Sequence, residues 1–147
     1  MWNEIMCQYD LDKFLSSFGG FHDSCIKEFK YTSGAFVDEN LSMFPVNNQR
    51  SLKVIFQRQI SNPSVVEIEF MGLQRLSIYP IDENSTCEIH DATMILSDNC
   101  MYWYDCERLA EKDLSNYKGT LICASKVRWR VAEENIGQKE IYTENSD

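Results

Sequence analysis

The sequence predicts a mainly β fold. It reads as a β-rich α+β domain: a strongly curved antiparallel sheet or partly open barrel of seven to nine strands, with one or two short covering helices. Three observations carry this. From Ser24 onward, apolar residues recur at every second position, the period of a half-buried strand. Turn-forming clusters such as Thr32-Ser33-Gly34, Ser61-Asn62-Pro63-Ser64 and Asp82-Glu83-Asn84-Ser85 punctuate these runs. Helical spacing is concentrated in the first eighteen residues.

Trp2, Ile5, Met6 and Tyr9 form one helical set there, and Leu11, Phe14, Leu15 and Phe18 form another. A single helix would be apolar on two faces. The spacing therefore predicts a break near Asp10, with Asp10 as N-cap of a helix over 11–17 ended by Gly19-Gly20.

Cys25 to Tyr31 alternates as a strand, and Ala35 to Asp38 is a second, short one. Asn40 to Asn48, with Pro45 and Asn47-Asn48, reads as loop. Ser51 to Ile60 places Leu52, Val54, Phe56 and Ile60 on one face, and Val66, Ile68 and Phe70 answer it across a four-residue turn as a hairpin. Gly72 marks a bulge or bend, with a strand continuing to Tyr79. In Thr86 to Leu96, Cys87 and Ile89 have one parity and Ala92, Met94 and Leu96 the other, which predicts a β-bulge at His90-Asp91. Cys100 to Tyr104 is an aromatic strand, and 105–118 is a loop carrying one or two helical turns. Thr120 to Glu133 is a long strand, with Leu121, Cys123, Ser125, Val127, Trp129 and Val131 on one face and Lys126, Arg128 and Arg130 on the other. The acidic stretch 134–147 is expected to be a loosely ordered tail of this single domain.

The 147 residues carry 14 Lys and Arg against 23 Asp and Glu, a net charge of −9. That sign repels phosphate backbones and anionic lipid, which argues against a nucleic-acid or membrane-surface partner. No apolar run reaches the ~18 to 20 residues that span a bilayer. The opening Met1-Trp2-Asn3-Glu4 lacks the basic start of an export signal, so a cytoplasmic location is expected. The six cysteines contain no Cys-x-x-Cys, and the spacing of His90, Cys100 and Cys106 matches no common zinc pattern. Reduced thiols and no metal or other cofactor are expected.

Gly20-Phe21-His22-Asp23-Ser24-Cys25-Ile26-Lys27-Glu28, Phe56-Gln57-Arg58-Gln59, Tyr102-Trp103-Tyr104-Asp105 and Ile122-Cys123-Ala124-Ser125-Lys126-Val127-Arg128-Trp129-Arg130 together resemble a family of small uncharacterised bacterial proteins. The likeness covers nearly the whole chain and implies no catalytic residues. The Phe-His-Asp-Ser opening is also similar to bacterial immunity proteins, which neutralise a toxin by binding it. That second resemblance implies a protein partner.

Two dipeptides hold both histidines: His22-Asp23 and His90-Asp91. Imidazole beside carboxylate is the raw material of acid–base or metal chemistry. The bland alternatives are a loop-to-strand corner for the first pair and the bulge for the second. There is no Gly-x-Ser-x-Gly and no phosphate-binding glycine loop. The stripe Lys126, Arg128 and Arg130 is expected to pair with Glu67, Glu69 or the acidic tail. Arg58 falls on the Leu52, Val54, Phe56 and Ile60 face, so it lies at the core's rim or bonds a buried acid, with Asp23 or Asp91 as its expected partner. Trp103 and its flanking tyrosines are candidate interface anchors, or else they cap the sheet beneath the 105–118 loop.

These residues support two readings. The favoured one is a non-enzymatic protein-binding domain, immunity-like in its class of action, that meets a protein partner or a second copy of itself. The alternative is a small hydrolase or ligand-binding barrel using His22, Asp23, His90 and Asp105.

Overall fold

In the computed structural model, residues 1–143 are described. The strands are β1 (Asn3–Ile5), β2 (Ser24–Thr32), β3 (Phe36–Val37), β4 (Met43–Phe44), β5 (Ser51–Arg58), β6 (Val65–Ser77), β7 (Thr93–Leu96), β8 (Met101–Tyr104) and β9 (Leu121–Val131), with helix α1 at Gln8–Ser17. Seven strands form one antiparallel sheet in the order β2-β5-β6-β9-β8-β7, and β1 also pairs with β9. β3 and β4 form a separate two-stranded ribbon. The mainly antiparallel β class is as expected. The strong curvature is an overstatement, because the sheet is not closed or strongly curled.

Long β9 organises the sheet. One side of it runs along β6 from Leu121 to Val131. Its other side is shared: β8 takes Leu121–Ala124 and β1 takes Val127–Trp129. Residues 3–5 are therefore strand, not the helix their apolar spacing suggests, because β9 has an open edge for them there.

Helix α1 starts three residues earlier than expected. Cys7 is its N-cap, and Asp10 sits in the first turn, accepting the backbone N–H of Met6 (2.9 Å) and Cys7 (3.2 Å). Those amides hold the exposed Asp10 carboxyl below the usual carboxylate range. Phe18 ends the helix, and Gly19 and Gly20 follow in the left-handed region at φ 61° and 60°.

α1 covers one face of the sheet. Leu11, Phe14 and Phe18 from the helix and Phe21 after it meet Leu52, Val54 and Phe56 of β5, Val66, Ile68 and Phe70 of β6, and Trp103 of β8. The ring centroids of Phe56 and Trp103 stand 5.2 Å apart, and Phe21 lies 4.9 Å from Phe56 and 5.6 Å from Trp103. Aromatic contacts thus tie the helix corner to strands three positions apart in the sheet.

Gly72 bends β6 as expected, at φ 62°. Ser125 stands opposite, and a Cβ on Gly72 would come within 3.0 Å of its Oγ. Both strands change parity at this point. Phe70 and then Leu73 of β6, and Ala124 and then Val127 of β9, belong to the same core. This corrects the single face assigned to β9: Ile122 and Ala124 face the core, while buried Leu121 and Cys123 have the opposite parity.

The bulge expected at His90-Asp91 is instead a crossover. Only 93–96 is strand, paired with β8. Ile89 makes a single bridge to Ser24 at the outer edge of β2, through Asp23 N–H to Ile89 O (3.1 Å) and Ile89 N–H to Ser24 O (2.7 Å). The two parities belong to attachments at two different strands.

The second face of the sheet carries charge under cover. Glu67 (3% exposed) and Glu69 (7%) of β6 lie opposite Arg130 and Arg128 of β9. Both pairs are salt bridges, and Arg130 also reaches Glu134 at 3.0 Å. The Trp2 ring lies beneath both guanidinium groups, at 4.6 Å from Arg128 and 5.5 Å from Arg130. The expected pairing of the basic stripe with Glu67 and Glu69 forms at Arg128 and Arg130, while Lys126 stands opposite Met71.

Of the segment read as a loose tail, residues 134–143 lie across this face. Gln57 donates to the carbonyls of Asn135 (2.8 Å) and Gly137 (3.0 Å), and Ile141 N–H donates to the Glu28 carboxylate. The Tyr142 hydroxyl donates to Glu67, and its ring packs with Ile141 on Ile55, Val65 and Ala132. The end of the expected tail, 144–147, lies outside the described residues.

Candidate functional site

The residues that suggested chemistry divide among three places. His22 and Asp23 form the loop-to-strand corner before β2. His22 Nδ1 and Asp23 Oδ2 are 3.0 Å apart, with side chains 60% and 37% exposed. The Asp23–Ile89 hydrogen bond brings His90 close to this corner along the backbone. His90 and Asp91 are themselves exposed. An open groove of ≈440 Å³ at the corner is lined by Asp23, Cys25, Arg58 and Cys87, without either histidine. Burial pushes the Cys25 thiol up, so it is the less reactive protonated form that faces this groove.

Asp105 is elsewhere and already occupied. It accepts the Tyr117 hydroxyl and the Thr120 N–H (3.1 Å), closing the 105–120 loop on itself. Burial and this carboxylate together push the Tyr117 phenol up. His22, Asp23, His90 and Asp105 do not converge on one hollow. Among the described residues, no three His, Cys, Asp or Glu side chains stand together so as to hold a metal ion.

Among the described residues Arg58 finds no acid. Its Nε donates to the Pro63 carbonyl (2.7 Å), a second nitrogen reaches the Ser17 carbonyl (3.3 Å), and the guanidinium lies 4.7 Å from the centre of the Phe18 ring. The expected Asp23 or Asp91 pairing is replaced by main-chain oxygens, which pin the helix end to the β5–β6 turn.

Trp103 is fully buried, and its indole N–H has no hydrogen-bond partner among the described residues. It is a core residue, not an interface anchor. Tyr104, also buried, faces the other way and accepts the Leu109 N–H (3.0 Å) beneath the 105–118 loop. Behind them, burial and hydrogen bonding with Cys100 push the Cys123 thiol up to about 11. The Tyr102 phenol, bonded to Cys100, is pushed up to about 12. These groups are neutral at physiological pH and form a polar seam, not a nucleophilic site.

The feature that sequence reading missed is the β3–β4 ribbon. It interrupts the β2–β5 pair at the end where Thr32 meets Ser51. Gln49 and Arg50 N–H both donate to the Ser33 carbonyl and close its base. At its tip, the Asp38 carboxylate accepts the N–H of Asn40 (2.9 Å) and Ser42 (3.0 Å), which fixes the turn. Phe36 and Phe44 stack at 4.8 Å on one face of the ribbon, and Val37 pairs with Met43 on the other. With Leu41 and Val46 these six side chains are 46–85% exposed. Both faces of the ribbon are apolar and both meet solvent. Pro45 and Asn47-Asn48 read as loop in sequence, and the Phe36/Phe44 spacing across a tight turn is the signal that could have shown a hairpin.

At the foot of the ribbon, Tyr31, Arg50, Leu73 and Arg75 line an open groove of ≈590 Å³. Arg50 reaches the Leu73 carbonyl (3.4 Å), and Arg75 reaches the Leu114 carbonyl (3.2 Å). Among the described residues neither guanidinium has a carboxylate within 4.0 Å.

No helix among the described residues is long and apolar enough to cross a membrane. Comparison with family models, with curated proteins and with solved structures finds no match.

Proposed function

We propose that this protein is a non-enzymatic protein-binding module whose docking element is the β3–β4 ribbon. The observation that supports this is the ribbon's exposed apolar surface. Its six large apolar side chains each leave about half or more of their ~150–250 Å² in water, on the order of 600 Å² together. Divided between the ribbon's two faces, this leaves on the order of 300 Å² on each, the lower end of the largest apolar patches that soluble monomers expose and that often mark interaction surfaces. The chain has the apolar residues to build a core and has built one. The ribbon's apolar residues add nothing to that core, so another polypeptide is the surface that would cover them.

The similarity of the Phe-His-Asp-Ser opening to immunity proteins belongs to the same class of action, binding without chemistry. Site-specific photo-cross-linking tests the reading. A photoreactive residue at Phe36 or Leu41 should give protein adducts in producing cells. The same residue at Glu83, in an exposed loop, should give none. Equal adduct yields from all three positions would remove the ribbon from its role.

A further inference from the structure

We infer that the partner of the ribbon is a second copy of this chain, in a two-fold dimer formed by reciprocal arms. This rests on the ribbon being a docking element and adds the identity of what it docks.

Charge selects the partner. The chain carries −9, so two copies repel wherever acidic surfaces meet. Within one copy the ribbon separates the signs. Its tip holds Asp38 and the exposed Glu39, and its foot holds Arg50 and Arg75, with no carboxylate within 4.0 Å of either among the described residues. From Ser33 to the tip the arm spans about 20 Å at ~3.3 Å per residue. Two arms laid side by side in opposite directions place each acidic tip at the other's basic foot. That is the relation a two-fold axis generates, with the same patch used by both partners.

Packing the Phe36–Phe44 faces against each other removes on the order of 400 Å² of apolar surface from the two arms, so the tip–foot contacts must supply most of an interface that clears about 1,000 Å². The apolar residues of the foot, Tyr31 and Leu73, extend that surface beneath each incoming tip.

The test is a complementary charge exchange, read by sedimentation velocity on the full chain over a concentration series. Wild-type protein should run at twice 17.2 kDa. Phe36→Ser with Phe44→Ser should be monomeric while keeping the wild-type circular dichroism spectrum. Glu39→Lys and Arg50→Glu, each alone, should weaken self-association about tenfold or more, since each sets like charges together at both tips. Mixing those two variants should restore a dimer, because every tip–foot contact in the mixed pair again joins opposite signs. Among the described residues Glu39 makes no side-chain hydrogen bond and the Arg50 side chain makes a single long one, so neither substitution threatens folding.

Three results would overturn the inference: a monomeric wild type at about 100 μM, a dimer that persists in the double-serine variant, or a mixture that stays monomeric. A monomeric wild type whose Phe36 and Leu41 positions still cross-link to a different protein would sink the self-association and leave the docking role standing.

Discussion

Two hairpins in this chain have similar apolar content and opposite fates. In β5–β6, Leu52, Val54, Ile55, Phe56, Val65, Val66, Ile68 and Phe70 are all fully buried. In β3–β4, Phe36, Val37, Met43 and Phe44 are all about half exposed or more. Residue type does not explain this. β5–β6 has β2 on one side, β9 on the other, α1 over one face and the 136–142 segment over the other. Among the described residues the ribbon has only itself. The comparison teaches that the same alternation stabilises the fold when neighbours cover it and serves contact with another molecule when none do.

The largest effect that sharpens this contrast is at Phe56. Phe56→Ala should cost about 3–5 kcal/mol of folding stability by urea denaturation, because the ring is enclosed by Phe21 and Trp103. Next is Gly72→Ala. Its left-handed backbone and the close approach of Ser125 should together cost about 1–2 kcal/mol or more.

Tyr142→Phe should cost about 1–2 kcal/mol by removing a hydroxyl that donates to buried Glu67. This one also has a pH signature. Burial and the Glu67 carboxylate raise the Tyr142 phenol above its unfolded value near 10, so its contribution is complete below that pH. It is lost as pH rises further, and the phenylalanine variant should show a shallower alkaline decline in chemical denaturation.

The smallest effect carries the most weight for the contrast. Phe44→Ala should change folding stability by less than about 0.5 kcal/mol, measured below the concentration at which the chain associates. A loss as large as that of Phe56→Ala would show that the ribbon is part of the core after all.

Much of the sheet was legible in the sequence because its strands alternate cleanly. β2, β5, β6 and β8 lie where period two places them, and the Gly72 bend was readable from glycine in a strand. The parity change of β9 was not. It falls on Ala124, Ser125 and Lys126, where small and polar residues carry no hydropathy contrast. The phase slip near His90 was visible but ambiguous: one extra residue and a jump to another strand leave the same mark. Hydropathy also could not show that Trp103 faces inward and Phe36 outward, since an aromatic residue has the same signature in a core and on an interface. The candidate site was missed for that reason, and the histidines drew attention because both precede an aspartate, a pairing that sequence alone cannot place in space.

The orphan indole hydrogen of Trp103 has a practical use. Sealed among Phe21, Phe56 and the neighbouring strands, it has no route to heavy water except through disruption of the surrounding packing. Its NMR signal should therefore outlast those of the indoles of Trp2 and Trp129 after transfer to deuterated solvent. Its decay would time the opening of the whole domain, a single-proton clock installed by the fold itself.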